Sequence, residues 1–104
     1  MKLIELNLQR IIDLCHKHKV RTLSVFGSIL TDRFNENSDV DLLVDFEDYD
    51  RDNPHGFDYV TNFFDLQDSL ESLLNRKVDL VVASSLENRY FINNINRNKL
   101  LIYG

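Results

Sequence analysis

The sequence predicts a small α/β (α+β) domain in which helices flank a small mixed β-sheet. Apolar residues recur at helical spacing in two long segments, and short runs rich in Val, Leu and Phe alternate with those segments. A chain of 104 residues holds one modest core, so we expect a single domain over residues 1–104. Such a domain leaves no room for a separate substrate domain, and another molecule should hold most of the substrate.

Composition and charge argue against several classes of protein. Hydrophobic residues make up 43% of the chain and charged residues 28%, and no apolar run is long enough to cross a membrane, so we expect a soluble protein. The amino terminus lacks a secretory signal, and the single cysteine, Cys15, forms no internal disulfide, as is typical of the cytoplasm. A net charge of -5 argues against direct, stable binding to nucleic acid, which requires clustered Lys and Arg.

The first half of the chain predicts one helix and two strands. Apolar residues at helical spacing indicate an amphipathic helix over residues 3–18, with Cys15 on its buried face and His16 and His18 on its surface. VRTLSVF at 20–26 predicts a strand that stops at Gly27, and DVDLLVDF at 39–46 predicts a second strand.

The second half predicts two more helices and two more strands. Residues 47–59 are acidic and polar and predict a loop, a candidate lid over a site. Residues 57–75 predict a long helix with an apolar stripe: Val60, Phe63, Phe64, Leu70, Leu73 and Leu74. KVDLVVA at 77–83 predicts a third strand, and a last helix should begin near Ser84 or Ser85. The closing LLIY predicts a final edge strand.

Three aspartates interrupt the apolar strands in a pattern that predicts a metal site. Because side chains alternate along a strand, Asp39 and Asp41 point to one face, and Asp79 interrupts the third strand in the same way. If the second and third strands are neighbours, the three carboxylates share one face. Such a cluster of hard oxygen ligands favours Mg²⁺ or Mn²⁺ and can hold two ions for phosphoryl or nucleotidyl transfer.

The Gly27-Ser28 pair predicts a phosphate-binding turn. Gly27 lets the backbone turn sharply after the first strand, and backbone N–H groups at the start of a following helical turn attract a phosphate. The Ser28 hydroxyl adds a donor. A phosphate-binding turn followed after ten residues by a metal-binding pair implies a nucleoside triphosphate bound with its metal ions.

This arrangement resembles the signature of the DNA polymerase β-like nucleotidyltransferases, and at this size the minimal nucleotidyltransferases (MNT). The resemblance rests on Gly27-Ser28, the ten-residue spacing, Asp39-X-Asp41 and the later Asp79, and the closing RYFINNINRNKLLIYG is also similar to members' ends. It implies a palm-like fold, ATP as substrate, two Mg²⁺ ions held by Asp39, Asp41 and Asp79 as catalytic residues, and nucleotide binding by Gly27 and Ser28. Thr31 and Asp32 stand where members often carry Arg-Gly, and the next arginine is Arg33.

The resemblance also implies a partner. Many minimal nucleotidyltransferases are encoded beside a HEPN-family ribonuclease toxin, and the nucleotidyltransferase acts as an antitoxin that moves AMP from ATP onto a toxin tyrosine. We therefore expect a metal-dependent protein adenylyltransferase that forms a hetero-oligomer with such a toxin. Two alternatives stay open: an antitoxin that neutralises the toxin by binding alone, and a nucleotidyltransferase that modifies a small-molecule hydroxyl.

Overall fold

The computed structural model describes residues 2–47 and 59–104, which form a four-stranded mixed sheet with helices on both faces. The strands are β1 (Val20–Phe26), β2 (Val40–Phe46), β3 (Val78–Val82) and β4 (Leu100–Tyr103). Their order across the sheet is β3-β2-β1-β4, in which β1 runs antiparallel to β2 and β4, and β3 runs parallel to β2. The predicted fold class, the neighbouring second and third strands and the closing edge strand are confirmed.

The predicted amino-terminal helix is two helices, α1 (Lys2–Leu6) and α2 (Leu8–Lys17). Asn7 interrupts them because its side-chain Nδ2 donates to Leu3 O at 2.8 Å, the carbonyl that the Asn7 backbone N–H would bond in a continuous helix. The prediction of one unbroken helix over 3–18 was therefore wrong. The apolar face continues across the break, since Ile4, Ile11 and Cys15 are all buried.

Helix α3 (Tyr59–Leu74) confirms the predicted long helix and part of the predicted apolar stripe. Leu70 and Leu74 are buried, and Phe63 and Leu73 pack against the core while partly buried. The buried residues of the helix recur every four positions: Asn62, Leu66, Leu70 and Leu74. Val60 and Phe64, both assigned to the apolar stripe, are 60% and 55% exposed. The predicted loop, with its role as a lid, lies almost entirely at 48–58, outside the described residues.

A buried polar pair explains why α3 turns this face inward. His18 is only 5% exposed, its Nδ1 lies 2.7 Å from Asn62 Oδ1, and Asn62 Nδ2 donates to His18 O at 2.9 Å. The prediction that His18 lies on the surface was wrong, because the long-range bond to Asn62 satisfies its Nδ1 inside the protein. Its Nε2 is also buried and has no hydrogen-bond partner among the described residues. His16 is exposed and Cys15 is buried, as predicted.

Helix α4 (Arg89–Asn98) begins later than predicted. Ala83–Ser85 forms only a short 3-10 turn, and the residue that caps α4 is Asn88, whose Oδ1 accepts hydrogen bonds from Tyr90 N at 2.9 Å and Phe91 N at 3.2 Å. The helix packs Ile95 against Phe26 and Leu43.

The two faces of the sheet carry separate clusters. Val40, Leu42 and Val44 of β2 face the main core with residues of α2 and α3. Leu43 alternates to the opposite face, where α4 packs, and Asp41 belongs to the same alternation. The face that carries Asp41 is therefore the one that α4 partly covers. Within residues 2–47 and 59–104, no helix is both long and apolar enough to span a bilayer.

Candidate active site

Strand pairing brings the predicted carboxylates to one edge of the sheet. Asp41 and Asp79 are direct partners in the parallel register of β2 and β3, and Asp39 immediately precedes β2. Asp41 is partly buried, whereas Asp39 and Asp79 are exposed. Partial burial, followed by repulsion from Asp79 and then Asp39, raises the pKa of the Asp41 carboxyl above its usual range. Asp41 thus lies within reach of the charges of both neighbouring aspartates.

Gly27 lies directly against Asp41. It follows Phe26, which pairs with Asp41 across β1 and β2, and it adopts a φ of +78°, which favours glycine. A Cβ at this position would overlap Asp41 Oδ2 and lie 3.2 Å from Asp41 Cγ. Glycine is therefore required here for two reasons: the backbone angle and the space occupied by the carboxylate.

The Gly-Ser turn, residues Gly27–Leu30, is a single 3-10 turn that follows β1. Thr31 closes it, since its backbone N and its Oγ1 both donate to Ser28 O, at 2.9 and 2.8 Å. The Arg33 backbone N in turn donates to Thr31 Oγ1 at 3.2 Å, and Arg33 is exposed. Thr31, which stands where members of the family often carry arginine, thus holds the turn in shape.

Arg76 holds the segment that leads into Asp39, a role that the sequence did not reveal. Its Nη1 donates to Asn35 O at 3.1 Å and to Ser38 O at 3.0 Å, and its guanidinium lies 4.6 Å from the centroid of the Phe34 ring. The two carbonyls lie 41 and 38 residues away in sequence, so no local pattern announces the contact. We identify Arg76 as a positioning residue for Asp39.

A cleft of about 690 Å³ opens beside the Gly-Ser turn. Phe26, Gly27 and Thr31 lie along one wall, and Phe91 and other residues of α4 form the opposite wall. Phe91 contacts Phe26 edge to face, with the ring centroids 6.5 Å apart. The cleft therefore adjoins the glycine that contacts Asp41.

The three carboxylates have the ligand chemistry and the backbone positions that a divalent cation requires, but their side chains do not converge on one point. Three partly solvated carboxylates offer the hard oxygen ligands that Mg²⁺ and Mn²⁺ prefer. In the described part of the chain, no three His, Cys, Asp or Glu side chains converge closely enough to hold one ion as they stand. Convergence on one ion therefore requires rotation of these side chains about a backbone that is already in register.

Comparison with known proteins identifies the family. The family model Polymerase beta, Nucleotidyltransferase matches residues 9–104. The protein adenylyltransferase MntA of Thermococcus cleftensis is 40% identical over 75 residues, which cover 72% of this chain and 68% of that protein. A protein of Methanocaldococcus jannaschii, provisionally named a protein adenylyltransferase, is 38% identical over 87 residues, covering 84% of this chain and 79% of its own length.

Solved structures share the fold. A structure provisionally identified as a minimal nucleotidyltransferase superposes with a TM-score of 0.74 at 27% identity, covering 95% of this chain and 92% of that one. A toxin-antitoxin crystal structure with AMP-PNP gives a TM-score of 0.70 at 25% identity over 94% of this chain and 73% of the other. A further match is a complex of a tri-AMPylated Shewanella oneidensis HEPN toxin with an MNT antitoxin. It superposes with a TM-score of 0.65 at 24% identity and covers 96% of this chain and 71% of the other. The matching family model and relatives show that the chain belongs to the polymerase β-like nucleotidyltransferases, among the minimal nucleotidyltransferases, whose fold it shares.

Proposed function

We propose that this chain is a single-domain, metal-dependent protein adenylyltransferase that moves AMP from ATP onto a tyrosine hydroxyl of a HEPN-family toxin. The observation that carries the proposal is the pairing of Asp41 with Asp79, with Asp39 two residues before Asp41 and Gly27 packed against the Asp41 side chain. Family membership and the adenylyltransferase names of the relatives support the reaction.

The residues of the site have two roles, triphosphate binding and metal binding. Gly27 and Ser28 bind the triphosphate through the turn, where the absence of a side chain on Gly27 leaves room for the Asp41 carboxylate beside it. Asp39, Asp41 and Asp79 would hold Mg²⁺, with Mn²⁺ as a substitute, and the ions would supply positive charge that stabilises the transfer. Arg76 keeps Asp39 at the edge of the sheet by fixing the carbonyl of Ser38.

The transfer step is an exchange of one P–O bond for another. The acceptor hydroxyl oxygen attacks the α-phosphorus of ATP, the bond to the β-phosphate breaks, and pyrophosphate leaves. Asp79 is exposed at the end of the carboxylate edge, where an incoming acceptor reaches it, and it accepts the hydroxyl proton. No group of this chain becomes covalently modified.

A protein acceptor fits the charge of this domain. The net charge of -5 complements a toxin that must be basic enough to hold RNA. An acceptor carried by a partner also removes the need for a second substrate domain in a chain of 104 residues. The toxin-antitoxin crystal with AMP-PNP supports this assignment of partner and nucleotide, and the proposal places the reaction in the cytoplasm as a hetero-oligomer.

The test is the intact mass of a candidate HEPN-family toxin after co-expression with this chain. Wild-type chain should add whole AMP units to the toxin, and Asp39→Asn/Asp41→Asn should add none while still folding. Asp68→Asn, which neutralises an exposed carboxylate on α3, is the matched control and should modify the toxin as wild type does.

The same measurement separates the alternatives. An unchanged toxin mass with stable co-purification identifies an antitoxin that acts by binding alone. If AMP is transferred to a small hydroxyl compound and the toxin stays unmodified, the chain is a small-molecule nucleotidyltransferase. Full AMP transfer by the double variant would reject the assignment of Asp39 and Asp41.

A further inference from the structure

The wall that α4 contributes to the cleft carries one charge. Asn94, Arg97 and Asn98 follow one another at helical spacing and all line the cleft beside the Gly-Ser turn. Arg97 is the only charged residue among those that line this cleft in the described part of the chain. Its guanidinium makes no hydrogen bond or ion pair with any of the residues 2–47 and 59–104. The cleft therefore presents a cation that none of the described residues neutralises, in a domain whose net charge is -5.

The neighbouring asparagines are oriented by their own hydrogen bonds. Asn98 Nδ2 donates to Asn94 O at 3.0 Å and to Asn94 Oδ1 at 2.8 Å. The acceptor end of the Asn94 amide is thus already used, and its Nδ2 is left as a hydrogen-bond donor, one turn along the helix from Arg97. A guanidinium and an amide NH₂ on one helix face form a donor set that suits phosphate oxygens.

We propose that Arg97 binds the terminal phosphates of the nucleoside triphosphate, with Asn94 as a second donor to the same phosphates. The inference rests on the proposed function, and it assigns to α4 a part of the nucleotide site that the Gly-Ser turn alone does not supply. Gly27 borders both Asp41 and the cleft, so a triphosphate whose α-phosphate lies near Asp41 extends its other phosphates along the turn toward Arg97. Arg33, the arginine nearest the turn in sequence, is exposed and does not line this cleft.

The test is direct binding by isothermal titration calorimetry in Mg²⁺, without the toxin. The probes are AMP-PNP, inorganic tripolyphosphate and AMP, and the proteins are wild type, Arg97→Gln and the matched control Arg33→Gln. We expect Arg97→Gln to weaken AMP-PNP and tripolyphosphate roughly 10- to 100-fold, the usual loss for a hydrogen bond to a charged group, with AMP affinity unchanged. Arg33→Gln should leave all three affinities unchanged. Arg97→Lys, which keeps the charge and loses the two-pronged geometry, should fall between wild type and Arg97→Gln.

Each other outcome overturns a specific statement. Unchanged AMP-PNP affinity in Arg97→Gln, or an equal loss for AMP, rejects Arg97 as a ligand of the terminal phosphates while the proposed function stands. A loss in Arg33→Gln alone transfers the role to Arg33. A wild-type chain that does not bind AMP-PNP at all refutes the proposed function itself. Arg97 is exposed, so we expect its variants to fold, and Arg97→Lys carries the comparison if Arg97→Gln does not.

Discussion

Neutralising Asp41 should stabilise the metal-free protein, although it should abolish catalysis. Asp41 is partly buried between like charges, and both effects raise the pKa of its carboxyl. A carboxyl with a raised folded-state pKa stabilises the fold below its unfolded-state value, 3.8, and loses that contribution as the pH rises through its folded-state pKa. At pH 7 the charged Asp41 therefore lowers the free energy of unfolding, and Asp41→Asn should remove that cost.

The magnitude follows from the spacing of the charges. Residues two apart on an extended strand lie about 7 Å apart, and paired residues on neighbouring strands lie about 5 Å apart. Two unit charges at these separations repel by about 0.6 and 0.8 kcal/mol in water. Because Asp39 and Asp79 are exposed, the water-like values are the appropriate ones. Loss of both repulsions should stabilise Asp41→Asn by about 1.4 kcal/mol, which is roughly 6–11 °C in Tm for a domain of this size.

The assay is thermal unfolding followed by circular dichroism at pH 7, in EDTA and in Mg²⁺. In EDTA, the Tm of Asp41→Asn should be higher than that of wild type, whereas the Tm of the exposed control Asp68→Asn should equal that of wild type. Mg²⁺ should raise the Tm of wild type and not that of Asp41→Asn, because a ligand stabilises only the folded state that binds it. Below pH 4 the advantage of Asp41→Asn should shrink. If the Tm of Asp41→Asn in EDTA is equal to or lower than that of wild type, the electrostatic reasoning is refuted.

Three further substitutions or treatments test the architecture around the site. Gly27→Ala should destabilise the fold by about 1–2 kcal/mol, because alanine is strained at the left-handed backbone angle of this position. It should also raise the Mg²⁺ concentration for half-maximal activity, because the added methyl group displaces Asp41. An unchanged Mg²⁺ requirement would contradict the contact between Gly27 and Asp41. Arg76→Ala should also raise the Mg²⁺ requirement and leave the KM for ATP unchanged, because it frees the carbonyl of Ser38; a change in KM alone would argue against a positioning role. Cys15, whose pKa burial raises to about 12, should resist iodoacetamide at pH 8 until the protein unfolds, and rapid labelling of the native protein would show that the thiol is accessible.

Local pattern predicted much of the site because its chemistry follows the alternation of strands. Asp41 and Asp79 each interrupt apolar residues in a strand pattern, and that pattern sets the face on which each of the two carboxylates lies. Asp39 stands two residues before Asp41, at the entrance to the strand. Gly27 directly follows a β-branched run, so the turn is local as well. The resemblance to the family then supplied the reaction and the partner, which no periodicity contains.

The errors share one physical cause. Asn7 breaks the first helix through a bond to a carbonyl four residues away, and His18 is buried by Asn62, which is 44 residues away. Polar side chains that look solvated in sequence become internal when a distant group satisfies them. The later start of α4 at its Asn88 cap follows the same competition between side chain and backbone.

The sequence by itself determined the class of fold, the acidic character of the domain, the Gly-Ser turn and the three carboxylates. Only the tertiary structure decided that β3 lies parallel to β2 with Asp79 beside Asp41, that Arg76 fixes the approach to Asp39, and that α4 carries Arg97 to the cleft. These contacts join residues tens of positions apart, and a chain brings such residues together only when burial of the shared core offsets the conformational entropy of closing the loops between them.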